Sequence, residues 1–247
     1  MSPLDGNETL HAAALSLIAA AAATGTTLRL LGGIAVWATC PSSRSGPYAR
    51  SCGDIDLVAA GRASPVEAVF SSCAWSPDAE FNLYNGETRL RFRKDGAKAD
   101  VFLGGFKMCH RVPLGRRLGF DAASIPLAEL LLTKLQIVEA NPKDLGDAAC
   151  ILLDHEVGAR DGDSINVSAL AEACADDWGL WRTTTESLRT LAAWLASGGV
   201  AGATTANARI QAILAALERE PKTLRWRARA AVGERVRWYE LPEEVDR

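Results

Sequence analysis

The sequence predicts an α/β (α+β) protein in two parts, a small mixed sheet carrying helices over residues 1–120 and a helical domain over 121–247. Three observations predict this. Short β-like runs alternate with short helical ones up to Gly119, strand signals nearly vanish beyond it, and from Pro126 onward apolar residues recur at helical spacing. A chain of 247 residues can bury roughly 70 to 75% of its unfolded surface, enough for a sizeable core.

Residues 11–23 form the longest apolar run and read as a helix of a soluble, cytoplasmic protein. Residues 1–9 hold Asp5 and Glu8 and no Lys or Arg, which argues against a secretory signal. The run is shorter than the about 18 apolar residues a membrane span needs, and Ala23-Thr24-Gly25 closes it as a helix end does. Residues 28–31 and 54–59 read as buried strands, and 65–73 as the helix after the second. Strands follow at 81–84, 88–93 and 97–103, the last two joined by the turn Lys94-Asp95-Gly96. The helical half reads as 126–140, 142–155, 167–175, 183–196, 205–220 and 224–239, with Asn141-Pro142 as N-cap and first helical residue of the second.

Composition narrows the classes. With 48% hydrophobic and 23% charged residues the chain is neither collagen-like nor disordered, and a net charge of −3 excludes coating of nucleic acid by bulk charge. The six cysteines are scattered, with no C-x-x-C pair, and read as reduced thiols. His110 and His155 lack a partnered Ser or Cys motif, so no hydrolytic triad is expected. Trp178, Trp181 and Trp194 fit a helical core better than a base-stacking platform.

The residues that carry chemistry lie in the first half. Gly32-Gly33 sit where a strand turns into a helix, a place suited to an anion because glycine allows close approach and the first helical turn has unpaired N–H groups. A tight turn is the plainer account. In Asp54-Ile55-Asp56-Leu57 the two carboxylates project from one face of a strand and repel unless a cation lies between them. Oxygen ligands of this kind suit magnesium. Asp100, inside the apolar strand 97–103, needs a partner, either a metal or Arg91 or Arg93 across the hairpin.

Gly32-Gly33, then Arg50-Ser51 leading into Asp54-Ile55-Asp56-Leu57, then Asp100 on a later strand, resemble the signature of the DNA polymerase beta nucleotidyltransferase superfamily. Leu130-Leu131-Leu132-Thr133-Lys134-Leu135 followed by Lys143-Asp144-Leu145-Gly146-Asp147 is similar to the AbiEii-type branch, which includes nucleotidyltransferase toxins of type IV toxin-antitoxin systems. The resemblance covers roughly residues 28–156. It implies a polymerase-beta-like mixed sheet with a helical domain behind it. It also implies two magnesium (or manganese) ions held by Asp54, Asp56 and Asp100, the last helping to deprotonate the acceptor. Gly32, Gly33, Arg50 and Ser51 would lie at the nucleoside triphosphate, and Lys134 and Asp147 would complete the nucleotide site. The implied reaction is transfer of a nucleoside monophosphate to an acceptor hydroxyl, on an RNA such as tRNA, with a cognate antitoxin as partner and no membrane.

The sequence departs from that pattern after the glycines, where Ile34-Ala35 replaces the usual polar residue; Ser42, Ser43 or Arg44 of an exposed loop can substitute for it. Lys134 falls within an apolar stripe and either snorkels or meets an anion, while Asp147 shares a face with Lys143 and Asp154 that also fits a solvated surface. Between Glu87 and Arg117 nine Lys or Arg stand against three acids, a local excess of +6 that can track a polynucleotide or hold phosphates. Two rival readings remain: modification of a small aminoglycoside-like acceptor, and a catalytically degenerate nucleotide-binding protein.

Overall fold

The computed structural model describes residues 3–120, 122–199 and 201–241. The chain divides into two compact units, residues 1–106 with 114–126, and residues 107–113 with 127–247. Residues 107–113 pack with the second unit.

The first unit opens with α1 (Pro3–Ala23), whose Asn7, Ala14, Leu17 and Ala21 are fully buried on one helical face. The order that follows is β1 (Leu28–Leu31), α2 (Gly32–Thr39), β2 (Ile55–Ala59), α3 (Ala63–Ser72), β3 (Ser76–Pro77), α4 (Ala79–Asn85), β4 (Arg89–Lys94) and β5 (Ala97–Leu103). These five strands form one mixed sheet in the order β1-β2-β5-β4-β3. β2 and β5 run parallel in its centre, and the other neighbours are antiparallel. Ile55, Leu57, Val58 and Ala59 are all buried, which explains why the run after Asp56 reads as apolar on both faces. Stacking of Phe70 on Phe92, with ring centroids 4.0 Å apart, ties α3 to the sheet. Asp95 and Gly96 both have positive φ, as a two-residue turn between twisted strands requires.

One expected strand is a helix. Residues 81–84 belong to α4, because Asp78 caps it by accepting from the Phe81 N–H at 3.3 Å. The alternation of Phe81 and Leu83 imitates a strand, yet Leu83 and Tyr84 are exposed. Asn82 does pair like a strand residue, through its side chain: its amide donates to the Arg91 carbonyl at 3.2 Å and accepts from the Arg91 N–H at 2.7 Å.

Short strands β6 (Phe106–Lys107) and β7 (Arg111–Val112) follow. The second unit then builds α5 (Leu127–Leu135), α6 (Pro142–Asp154), β8 (Glu156–Gly158), β9 (Ser164–Asn166), α7 (Val167–Asp176), α8 (Trp178–Gly198), α9 (Ala203–Arg219) and α10 (Leu224–Val232). Asn141 caps α6 and Asp177 caps α8 through their side chains. α5 is buried almost throughout and ends at Leu135, short of the expected Ala140, and α10 ends at Val232, short of Tyr239. β8 and β9 pair in parallel, strands of three residues that carry too little pattern to read in advance. No helix among the described residues is long and apolar enough to cross a membrane. The six cysteines form no disulfide, and four of them are buried.

Candidate metal centre

β2 and β5 lie side by side in parallel register, which sets Asp56 directly beside Asp100. Asp54 stands just ahead of β2, and the alternation of the strand returns its side chain to the same face. Ligand oxygens of Asp54, Asp56 and Asp100 lie within 4.8 Å of one another. Asp54 and Asp56 are half-buried, whereas Asp100 is fully buried.

Gly32 begins α2 directly opposite. Its φ is +71°, and a Cβ there would lie 2.1 Å from Asp56 Oδ2, so glycine is required both by the backbone and by the carboxylate. At Gly33 a Cβ would meet the Arg50 guanidinium at 2.6 Å and Cys52 Sγ at 2.9 Å. The paired glycines therefore let the first turn of a helix close upon Asp56 on one side and Arg50 on the other. Sequence reading missed what holds Arg50. Asn7, fully buried on α1, donates to the Arg50 carbonyl at 2.8 Å and accepts from the Cys52 N–H at 2.7 Å. An Asn among the apolar positions of α1 was the available signal, since a buried amide must find partners. Ser51 is exposed, and its carbonyl accepts from Arg50 at 3.5 Å.

Three cations face these carboxylates. Arg91, the register partner of Asp100, donates from Nε to Oδ1 at 2.8 Å, and Arg89 donates to Oδ2 at 2.6 Å. The Lys98 ammonium bridges Asp54 at 2.8 Å and Asp100 at 3.7 Å. Burial pushes the Asp100 carboxyl up, but the Arg91 hydrogen bond and the charges of Arg89, Lys98 and Arg91 outweigh it and hold the group below the usual carboxylate range. Asp100 thus has arginine partners, Arg91, one of the alternatives to a metal, and Arg89 from the next same-face position. Arg93 turns instead to Asp78 at 3.2 Å. Phe81 and Phe102 stack on the guanidinium groups of Arg91 and Arg89 at 3.8 and 4.7 Å, fixing their planes. Arg89, Arg91 and Lys98 of the basic stretch thus face the acidic cluster.

Hard carboxylate oxygens in a group of three fit magnesium or manganese. The fit is best at Asp54 and Asp56. Both oxygens of Asp100 are engaged by guanidinium groups, and the Nε of Arg89 is buried without a hydrogen-bond partner.

The loop after α2 does not supply the missing hydroxyl through Ser43 or Arg44. Ser43 is buried and bonds to the Cys40 and Val36 carbonyls, and Arg44 donates to the Trp37 and Ala38 carbonyls at 2.9 and 2.7 Å. Both residues finish the C-terminus of α2, whose last carbonyls lack helical partners. Lys134 and Asp147 meet each other within the second unit, at 2.9 Å, with Asp144 3.7 Å from the same ammonium. Of the two outcomes its apolar stripe allows, Lys134 meets an anion, here the Asp147 carboxylate. Asp147 is buried rather than solvated, because α6 packs that face against α5 and α9.

Compared with protein-family models and with curated proteins, the chain gives no match to either.

Proposed function

We propose that the first unit is a polymerase-beta-like nucleotidyltransferase domain of the AbiEii type, which transfers a nucleoside monophosphate from a nucleoside triphosphate to an acceptor hydroxyl and releases pyrophosphate. The observation that carries this reading is the register pairing of Asp56 with Asp100, close to Asp54 and against the positive-φ Gly32. Asp54 and Asp56 would hold the magnesium ions, with Asp100 behind them. A divalent ion bound there supplies neutralisation of phosphate charge and a more acidic acceptor hydroxyl. Gly32 and Gly33 would offer the N–H groups of the first turn of α2 to phosphate oxygens, and Arg50 adds a positive charge beside Gly33. Positioning and charge do most of the work in such a transfer. An RNA acceptor such as tRNA, in a toxin-like cytoplasmic enzyme with an antitoxin partner, rests on the family resemblance.

One observation favours a second reading, a nucleotide-binding protein without turnover: Asp100 is already saturated by Arg89 and Arg91. Incubation with labelled nucleoside triphosphates, magnesium and tRNA separates the two. Label on RNA that disappears in Asp56→Asn supports the transferase, and label on an aminoglycoside-like acceptor moves the substrate to small molecules. Magnesium-dependent nucleotide binding without transfer supports the second reading. Neither transfer nor binding overturns both.

A further inference from the structure

The second unit contains a cavity of about 600 Å³ that the acidic cluster does not explain. Its volume is typical of sites for small organic ligands. Trp178 at the start of α8 and Trp238 and Tyr239 beyond α10 give it an aromatic lining, with His110, Arg111 and Arg237 among its polar groups. The segment beyond α10 is held in place at several points. Arg182 pairs with Glu234 at 2.7 Å, Arg229 donates to the Gly233 and Val236 carbonyls at 2.7 Å, and the Glu240 N–H reaches the Cys109 carbonyl at 3.0 Å. At Gly179 a Cβ would lie 2.7 Å from the Trp238 carbonyl oxygen, so that glycine lets the segment close on α8.

Charge in the lining is unevenly spent. Lys107 is paired with Glu240 at 2.7 Å, and Asp176 lies 3.9 Å from Arg225. Asp177 caps α8 and Arg229 covers the Trp178 ring. Arg111 and Arg237 have no carboxylate partner among the described residues, although the Arg237 guanidinium lies over one face of the Tyr239 ring, 4.8 Å from its centroid. The Trp238 indole N–H donates to Thr183 Oγ1 at 3.2 Å, and His110 Nε2 lies 2.8 Å from the same hydroxyl, which ties the His110 ring to α8.

We propose that this cavity binds a nucleoside phosphate, with the base packed against Trp238 and Tyr239 and the phosphate between Arg111 and Arg237. Aromatic faces accept any base, and arginine holds phosphate in two-pronged fashion. Free mononucleotides and the end of a single RNA strand present this same chemistry.

The test uses the full chain in EDTA, which keeps it independent of the acidic cluster. Adenosine monophosphate, adenosine, inorganic phosphate and a short 5′-phosphorylated single-stranded RNA are titrated by calorimetry. The expected result is binding of the monophosphate about tenfold or more tighter than adenosine or phosphate alone. The double variant Arg111→Gln/Arg237→Gln should lose about tenfold in affinity with an unchanged melting temperature, since both side chains are exposed. RNA that binds tighter than the monophosphate identifies a strand end as the ligand; RNA that binds equally or less tightly identifies the free nucleotide. Absence of binding at millimolar monophosphate and RNA, affinity untouched by the double variant, or affinity lost in Asp56→Asn each overturns the proposal.

Discussion

Asparagine at position 100 removes the charge that Arg91 and Arg89 were folded to meet, while leaving the shape of the side chain intact. Asp100 is 0% exposed and Arg91 8%, so the guanidinium left behind in Asp100→Asn cannot simply return to water. Breaking a buried pair by neutralising one partner costs about 3–5 kcal/mol. Arg89 has a quarter of its side chain exposed and can turn outward, which points to the lower end, about 3 kcal/mol. In a chain of this length each kcal/mol lowers the melting temperature by about 2–4 °C, so a fall of about 6–12 °C is expected at pH 7. The pH dependence has a definite sign. A carboxyl held below its usual 3.8 stabilises the fold fully above that value and loses the contribution as pH falls through the folded pKa. The gap between wild type and variant should therefore be full at pH 7 and narrow in acid below about pH 4. Circular-dichroism melts across this range read it directly, and adding Arg91→Met to the variant should recover much of the loss. A variant that melts within about 2 °C of the wild type at pH 7, or a double variant no better than the single, refutes the ion-pair account.

The bridging ammonium, the glycine and the buried histidine give three further tests. Lys98→Met removes the cation between Asp54 and Asp100; a part-exposed pair is worth at most about 1 kcal/mol, so manganese binding followed by electron paramagnetic resonance should tighten up to about fivefold. Unchanged or weaker binding counts against the cluster as a cation site. Gly32→Ala places a methyl on Asp56 in a positive-φ backbone and should destabilise by about 2 kcal/mol or more, whereas Gly53→Ala, with nothing within 4 Å, should stay within about 0.5 kcal/mol; equal melts for the two would remove the argument from close approach. Burial lowers the His110 pKa, with Asp177 and Glu240 opposing it, so the unfolded chain takes up the proton first and stability should fall as pH drops below about 6.5. His110→Gln should flatten that slope, and parallel slopes for variant and wild type would show that another group sets it.

Local signals were legible wherever a few adjacent residues determined the outcome. Asp95-Gly96 named its own turn, Asn141-Pro142 its helix start, and the alternation in Asp54-Ile55-Asp56 put two carboxylates on one face before the sheet was known. The coarse division into a mixed sheet followed by helices came from the same short-range patterns. What escaped depends on neighbours distant in the chain. That Arg89 joins Arg91 on Asp100 follows from the β4–β5 register and from Phe81 and Phe102 beneath the guanidinium groups. Ser43 and Arg44 looked available because their acceptors are backbone carbonyls, which a sequence does not display. Residues 81–84 misled because one capping aspartate outweighed a four-residue alternation.

The clasp formed by Asn7 also bears on the order in which the chain organises itself. Its two hydrogen bonds span 43 and 45 residues, so the loop leading to Asp54 is pinned only once α1 has docked. The β4–β5 hairpin closes through a two-residue turn and can form early, since short loops close fastest. A nascent or partly unfolded chain can therefore possess the strand that carries Asp100 while Arg50 and Asp54 are still adrift, which makes docking of the first helix the event that assembles the site.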